Sequence, residues 1–326
     1  MRRREFIAFA GGAAVAWPLA AHAQESALPV IAFLRVGSPD ARYVAAFRKG
    51  LSETGYVEGQ NVTVEYHWLE SQINHLPALM ADLVRRQVVV IATPFSTPAA
   101  LAAKGATATI PIVFGVAEDP VRLGLVASLA RPGGNATGIN AFSQEVTAKR
   151  LRLLHDLVPK AVRIAVLVNP ANTATAEPTM QGVQEAAAII GLQIQTLNAS
   201  AIGEIDTAFA DISRARSDAL FVAGDAFFTS RRGQFATLTA RDKIPATYSN
   251  RDFVAAGGLM SYGTDLADGF HQVGVYTGQI LKGAKPADLP VLQSTKFEFA
   301  INLKTAKTLG IDVPPAVLSI ADEVIE

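Results

Sequence analysis

The sequence predicts an α/β protein built as two doubly wound, parallel-sheet lobes, and three observations predict it. Short apolar runs alternate with amphipathic segments along most of the chain. The alternation occurs twice with matching spacing: Ile31 to the Ile110-Pro111 pair spans 80 residues, and Ile164 to the Ile244-Pro245 pair spans 81. That period is too long for a solenoid, whose repeats run about 20 to 50 residues, and suits a domain. At 326 residues the chain is also long enough for two cores.

Residues 1–23 stand apart from this plan. Arg2-Arg3-Arg4 precedes an apolar run from Phe6 to Ala21, and Ala21-His22-Ala23 is a small-x-small cleavage pattern before Gln24. The run falls short of the roughly 20 apolar residues of a membrane-spanning helix, and Pro18 interrupts it. Arg3-Arg4-Glu5-Phe6-Ile7 also resembles a bacterial twin-arginine signal. Export to the periplasm is expected, with cleavage near Ala23.

Val30 to Leu34 then reads as a buried strand, and Gly37-Ser38-Pro39 begins a helix from about Asp40 to Glu53 in which Val44, Phe47 and Leu51 share a face. Val62 to Tyr66 alternates like a strand, and Leu76, Leu79, Met80 and Leu83 line the next helix. Val88 to Ala92 and Ile110 to Phe114 are apolar strands, each running into a polar turn and a proline. The turns are Thr93-Pro94-Phe95-Ser96-Thr97-Pro98, and Val116 to Asp119 before Pro120 as a first helical residue.

From Arg163 the order returns, with strands at Ile164 to Val168, Leu192 to Leu197 and Ala219 to Val222. Helices run to Ile190, over Glu204 to Ala215 and over Thr229 to Ala240. A strand ending at Tyr262, a helix from about Leu266 to Leu281, a linker from Gly283 to Pro290, a strand Phe297 to Ile301 and a short helix Leu303 to Leu309 complete the chain. If the helix after Tyr262 returns to the first lobe and the last strand to the second, the lobes are residues 28–141 plus 264–285 and residues 144–262 plus 290–326.

Composition narrows the function. Half the residues are apolar, 18% are charged and the formal net charge is zero, so no nucleic-acid partner is expected. Cysteine is absent, which removes disulfides, thiolate metal sites and a Cys nucleophile. The chain lacks G-x-G-x-x-G, a Walker-type G-x-x-x-x-G-K, G-x-S-x-G and H-E-x-x-H, and His67, His75, His155 and His271 show no metal-ligand spacing. Catalysis, a metal and a cofactor are therefore not expected.

Several segments carry a resemblance: GYVEGQNV, LPALMADLV, PIVFGVAEDPVRLGLVASLARPGGNATG from Pro111 to Gly138, KRLRLLHDLVP, SYGTDLADGF and INLKTAKTLGIDVPP. From about Pro29 to Glu326 the chain resembles the tryptophan/tyrosine-type periplasmic substrate-binding proteins of ABC importers, most specifically through D-P-V-x-x-G-L-V-x-S-L-x-x-P-G-G-N at Asp119 to Asn135. The resemblance implies a type I periplasmic-binding-protein fold: two Rossmann-like lobes, three crossovers, a hinge, and a small-molecule ligand in the cleft. It implies an ABC permease in the inner membrane as partner and a monomer in solution. A periplasmic sensor feeding a receptor is the alternative. A repressor of the lac type needs a helix-turn-helix where this chain has an export signal.

Ligand contacts are expected at the turns after strands, where helix N-H groups favour an anion. Ser38, Ser96, Thr97 and Asp119 are placed as helix N-caps, a role compatible with ligand contact. Thr93 and Glu118 share those turns, and Asn172 ends the turn Asn169-Pro170-Ala171-Asn172. Phe95 packs either on the ligand or on its own lobe. Asp225, at the equivalent turn of the second lobe, accepts a ligand ammonium or hydroxyl, or bonds its own backbone. Phe95, Phe227, Phe228 and Tyr262 suit an apolar or aromatic body, although Tyr262 reads first as scaffold. Tyr248, Asn250, Asp252 and Asp265 read as scaffold. In this reading Ser96 and Thr97 hold a ligand carboxylate and Asp225 an ammonium opposite, which makes the ligand an amino acid or aromatic acid.

Overall fold

A computed structural model of the chain describes residues 28–36, 39–69, 72–141 and 144–326; the expected signal sequence and Ser38 lie outside the described residues. The first half runs β1 (Val30–Arg35), α1 (Ala41–Glu53), β2 (Thr63–Trp68), α2 (Leu76–Arg85), β3 (Val90–Thr93), α3 (Thr97–Ala106), β4 (Ile112–Val116), β5 (Ala136–Asn140) and α4 (Gln144–Leu157). The second runs β6 (Arg163–Val168), α5 (Thr173–Ile190), β7 (Gln193–Asn198), α6 (Ile202–Ala215), β8 (Ala219–Val222), α7 (Ala226–Ser230), α8 (Arg232–Asp242), β9 (Ala246–Tyr248), α9 (Arg251–Ala255) and β10 (Met260–Thr264). The remainder is α10 (Leu266–Leu281), β11 (Leu292–Gln293), β12 (Phe297–Asn302), α11 (Leu303–Leu309), α12 (Pro315–Leu318) and β13 (Glu323–Ile325).

These strands form two sheets. The first has the order β11-β5-β4-β3-β1-β2 and the second β13-β12-β10-β9-β8-β6-β7. All pairs in the first are parallel. In the second, β12 runs antiparallel to β10. Parallel strands must be covered on both faces, and period-two alternation supplies two buried faces. In β1, Ala32 and Leu34 join the core that includes Leu76, Met80 and Leu83 of α2 and Ala99, Ala100 and Ala103 of α3. Ile31 and Phe33 join the opposite core with Tyr43 and Phe47 of α1 and Phe270 and Val273 of α10. We call each sheet with its helices a lobe.

The helix α10 follows a strand of the second sheet but packs on α1 of the first. Two glycines let the helices touch backbone to backbone: a Cβ on Gly274 would lie 2.1 Å from the Phe47 carbonyl oxygen, and one on Gly50 would lie 2.0 Å from that of His271. The chain passes between sheets after β5, after β10 and after β11. Because β11 pairs with β5, the last passage follows Gln293, and residues 292–293 belong to the first sheet rather than to the second-lobe segment drawn from residue 290. Two exposed residues give no periodicity from which to read such a strand.

Three other departures have local causes. Pro120 opens a run of turns through Gly124, not a helix; Asp119 caps that turn by accepting from Val121 N at 2.8 Å. The expected helix over Thr229 to Ala240 is α7 and α8, divided at Arg231. The sequence reading assigned neither β5 nor α4. In β5, three of the five residues of ATGIN, Ala136, Gly138 and Asn140, are types depleted in strands, and Gly138 sits where a Cβ would meet the Phe114 carbonyl oxygen at 2.0 Å.

Candidate ligand-binding site

The carboxyl ends of β4 and β6 bring the two lobes into contact at Glu118. This carboxylate is buried. Its Oε2 accepts from Thr97 Oγ1 at 2.6 Å, and its Oε1 accepts from Asn172 Nδ2 at 3.2 Å and Thr175 Oγ1 at 3.1 Å. Asn140 Nδ2 fixes the turn by donating to the Glu118 carbonyl at 2.7 Å. Asn172 does not cap α5 with its side chain; its Nδ2 also donates to Asp225 Oδ2 at 3.0 Å. Asp225 in turn accepts from Asn169 Nδ2 at 3.2 Å and caps α7 through Phe227 N at 2.9 Å.

Four expected site residues, Thr97, Glu118, Asn172 and Asp225, thus form one network across the cleft. Among the described residues, neither of its carboxylates forms an ion pair. Two neighbouring carboxylates repel, and a cation placed against them relieves that repulsion. The start of α3 therefore already receives an anion from the protein itself, at Thr97.

The other expected residues are distributed differently. Ser96 holds the N-cap position of α3, but its buried Oγ accepts from Val36 N at 3.0 Å and so ties the end of β1 to the end of β3. The α1 cap is Asp40, which accepts from Arg42 N at 2.9 Å. Thr93 is fully buried at the end of β3, and its Oγ1 has no hydrogen-bond partner among the described residues. Phe227 is partly buried against the core of the second lobe. Tyr262 lies on β10 with its ring 6.1 Å from Phe297 and packs on that lobe's other core. Asp119 serves its turn alone.

Phe95 takes both alternatives. Its backbone is left-handed, with φ of 49°, a conformation that costs a non-glycine residue of order 1 to 3 kcal/mol and is kept where surroundings enforce it. The ring fills the space over Gly269 of α10, where a Cβ would stand 2.3 Å from Cζ, and lies 5.5 Å from Phe270. It remains partly exposed beside Ser96 and Thr97. Phe270 stacks on Tyr43 at 4.6 Å, so the partly exposed Phe95 ring is the surface of an aromatic floor whose other members, Phe270 and Tyr43, are buried beneath it in lobe 1.

Sequence reasoning missed the far end of this floor. Tyr43 Oη donates to Asp252 Oδ1 of the opposite lobe at 2.9 Å, so Asp252 is a cleft residue and not scaffold alone. Burial and the Asp252 carboxylate both push the Tyr43 hydroxyl well above its ordinary pKa, which keeps it a donor. Arg35, the last residue of β1, lies over the Tyr43 and Phe270 rings at 5.4 and 5.3 Å. Outside the cleft, Arg42 of lobe 1 meets Glu298 of lobe 2 at 3.1 Å. None of these pairings follows a periodicity or a motif.

Among the described residues, no group of three or more His, Asp or Glu side chains is placed to hold a metal ion, and no helix is long and apolar enough to cross a membrane. The model of a family described as ABC transporter substrate binding protein matches residues 27–325. A tyrosine-binding protein of Clostridioides difficile (strain R20291) is 28% identical over 265 residues, covering 81% of this chain and 75% of that protein. A Streptococcus pneumonia ABC domain solved in complex with L-Trp superposes with a TM-score of 0.83 at 27% identity, covering 91% of this chain and 100% of the other. A conserved domain protein of Vibrio cholerae gives 0.80 at 27% identity, over 90% and 99%. The family binds solutes and is not enzymatic. With its two mostly parallel sheets and a family match over nearly its whole length, the chain belongs to the ABC transporter substrate-binding proteins of the type I periplasmic-binding-protein fold.

Proposed function

We propose that the protein is the periplasmic solute-binding component of an ABC importer and captures an aromatic amino acid between its lobes. It acts as a monomer and delivers its ligand to a permease in the inner membrane. One observation carries the reading of the site: Glu118 of lobe 1 meets Asn172 and Thr175 of lobe 2, with Asp225 one hydrogen bond further on. That acidic pair suits an ammonium group, and the floor of Phe95, Phe270 and Tyr43 suits an aromatic body. The relatives that bind tyrosine and L-Trp support the same ligand class.

The orientation differs from the one drawn from sequence. Ser96 and Thr97 are engaged by Val36 and Glu118, so the ammonium, not the carboxylate, is assigned to this turn. Titration calorimetry tests this. L-Tryptophan and L-tyrosine are expected to bind, and 3-(4-hydroxyphenyl)propionate, which lacks the ammonium, to bind about 10- to 100-fold more weakly, the worth of hydrogen bonds to a charged group. Equal affinities would show that the acidic pair does not read the amine.

The lobes are joined by passages that a hinge can use, and the described arrangement closes the cleft through Glu118, Tyr43 and Arg42. Solution scattering is expected to give a smaller radius of gyration with saturating ligand than without; identical values would exclude hinge closure. Intact-mass measurement of the exported protein is expected to place its first residue near Gln24, and a full-length cytoplasmic product would overturn export.

A further inference from the structure

Among the described residues, no direct contact neutralises the Arg35 cation. It ends β1 at the edge where the cleft lies. Its guanidinium rests on the Tyr43 and Phe270 rings, and cation-π attraction at that range orients it without using its N-H donors. Its Nε is enclosed and has no hydrogen-bond partner, and among the described residues the Arg35 side chain forms no hydrogen bond or ion pair. A guanidinium carries five N-H donors in a planar fork, and leaving the enclosed Nε-H unpaired away from water is costly. The nearby acceptor, Asp252, is engaged by Tyr43 instead. Burial lowers the Arg35 pKa; Tyr43, Asp252 and Asp40 act against that, and Arg232 of lobe 2 acts with it.

The geometry points to Arg35 as the residue that receives the carboxylate of the ligand. The assignment rests on the amino-acid reading above and supplies the half of the zwitterion that the acidic pair leaves unmatched. The turn after β3 links the two charges. Val36 N is bonded to Ser96 Oγ, and the next residue, Thr97, is bonded to Glu118. Opposite charges thus stand at the carboxyl ends of β1 and β4, on either side of β3 in lobe 1. At the start of α3, the usual carboxylate receptor of such a turn, the Thr97 hydroxyl is engaged by Glu118. An arginine is suited to the task because its fork matches a carboxylate bidentately.

The test uses three probe series: L-tryptophan and L-tyrosine, which carry both groups; tryptamine and tyramine, which lack the carboxylate; and indole-3-propionate and 3-(4-hydroxyphenyl)propionate, which lack the ammonium. Affinities are measured by calorimetry for the parent, Arg35→Gln and Arg35→Lys, with the melting temperature of each ligand-free protein as a control for folding. Arg35→Gln is expected to weaken the amino acids and the deaminated acids by about 10- to 100-fold and to leave the amines unchanged. Arg35→Lys keeps the charge and recovers part of the loss. Equal weakening of all three series would mean that Arg35 only shapes the site, and no weakening that it does not touch the ligand; either overturns the assignment. If the parent binds the deaminated acids through Arg35 but not the amino acids, the amino-acid reading falls and the Arg35 assignment stands. If the parent binds only the amines, the Arg35 assignment falls and the amine reading stands. Binding of no series overturns both.

Discussion

Glu118→Gln is expected to reduce affinity for L-tryptophan and L-tyrosine by at least about 100-fold, because a ligand ammonium would lose a buried charge partner, a change of roughly 3 to 5 kcal/mol. The substitution is a clean probe for a geometric reason. Glu118 accepts from Thr97 on one oxygen and from Asn172 and Thr175 on the other. A Gln amide keeps its oxygen toward Asn172 and Thr175 and turns its NH2 to Thr97, whose hydroxyl rotates to accept. The hydrogen bonds persist and only the charge is removed. The ligand-free protein should therefore melt close to the parent, while calorimetry shows the loss. Ligands without an ammonium should bind Glu118→Gln at least as well as the parent. Unchanged affinity for the amino acids would place the amine elsewhere.

Gly274→Val should produce the largest loss of stability. A Cβ at this position would lie 2.1 Å from the Phe47 carbonyl oxygen and 2.9 Å from Leu51 N, both backbone atoms of α1. No side-chain rotation removes that overlap, so the two helices must separate. Overpacking usually costs about 1 to 3 kcal/mol, and a backbone collision belongs at or above the upper end. For a lobe of this size that corresponds to a fall in melting temperature of about 6 to 12 °C. Gly233→Ala, in α8, is the control: a Cβ there meets nothing within 4 Å, and a change within about 1 kcal/mol is expected. If Gly274→Val melted like the parent, α10 would not be docked on α1. The effect should extend to ligand binding, since Gly269 and Phe270 on the same helix support Phe95.

Much of the fold was legible because its signals are local. The apolar run from Val30, the face of Phe47 and Leu51, which Tyr43 rather than the expected Val44 completes, and the helix end at Gly191, which adopts a left-handed φ of 75°, each report on residues a few positions apart. The run from Leu266 to Leu281 is a helix with the expected ends for the same reason. Where the signal was weak, as in β5 and β11, short strands with glycine or exposed residues went unread.

The sequence by itself determined two α/β halves and placed Thr97, Glu118, Asn172 and Asp225 at strand ends, because periodicity and turn chemistry act along the chain. Only the tertiary structure decided their partners. Thr97 was expected to cap a helix and await a ligand anion, but the fold brings Glu118 to it from 21 residues away. Asn172 reaches Glu118 across 54 residues and Tyr43 reaches Asp252 across 209. Ser96 turns to Val36, and Tyr262 turns into its own core. Arg35 reads in sequence as the polar end of a strand, and only the packing of α1 and α10 around it encloses its Nε beside two aromatic rings. Burial patterns follow from the free energy of removing apolar surface from water, which every apolar residue signals for itself. A hydrogen bond or a charge pair needs two groups at one point in space, and neither residue alone encodes where the other will be.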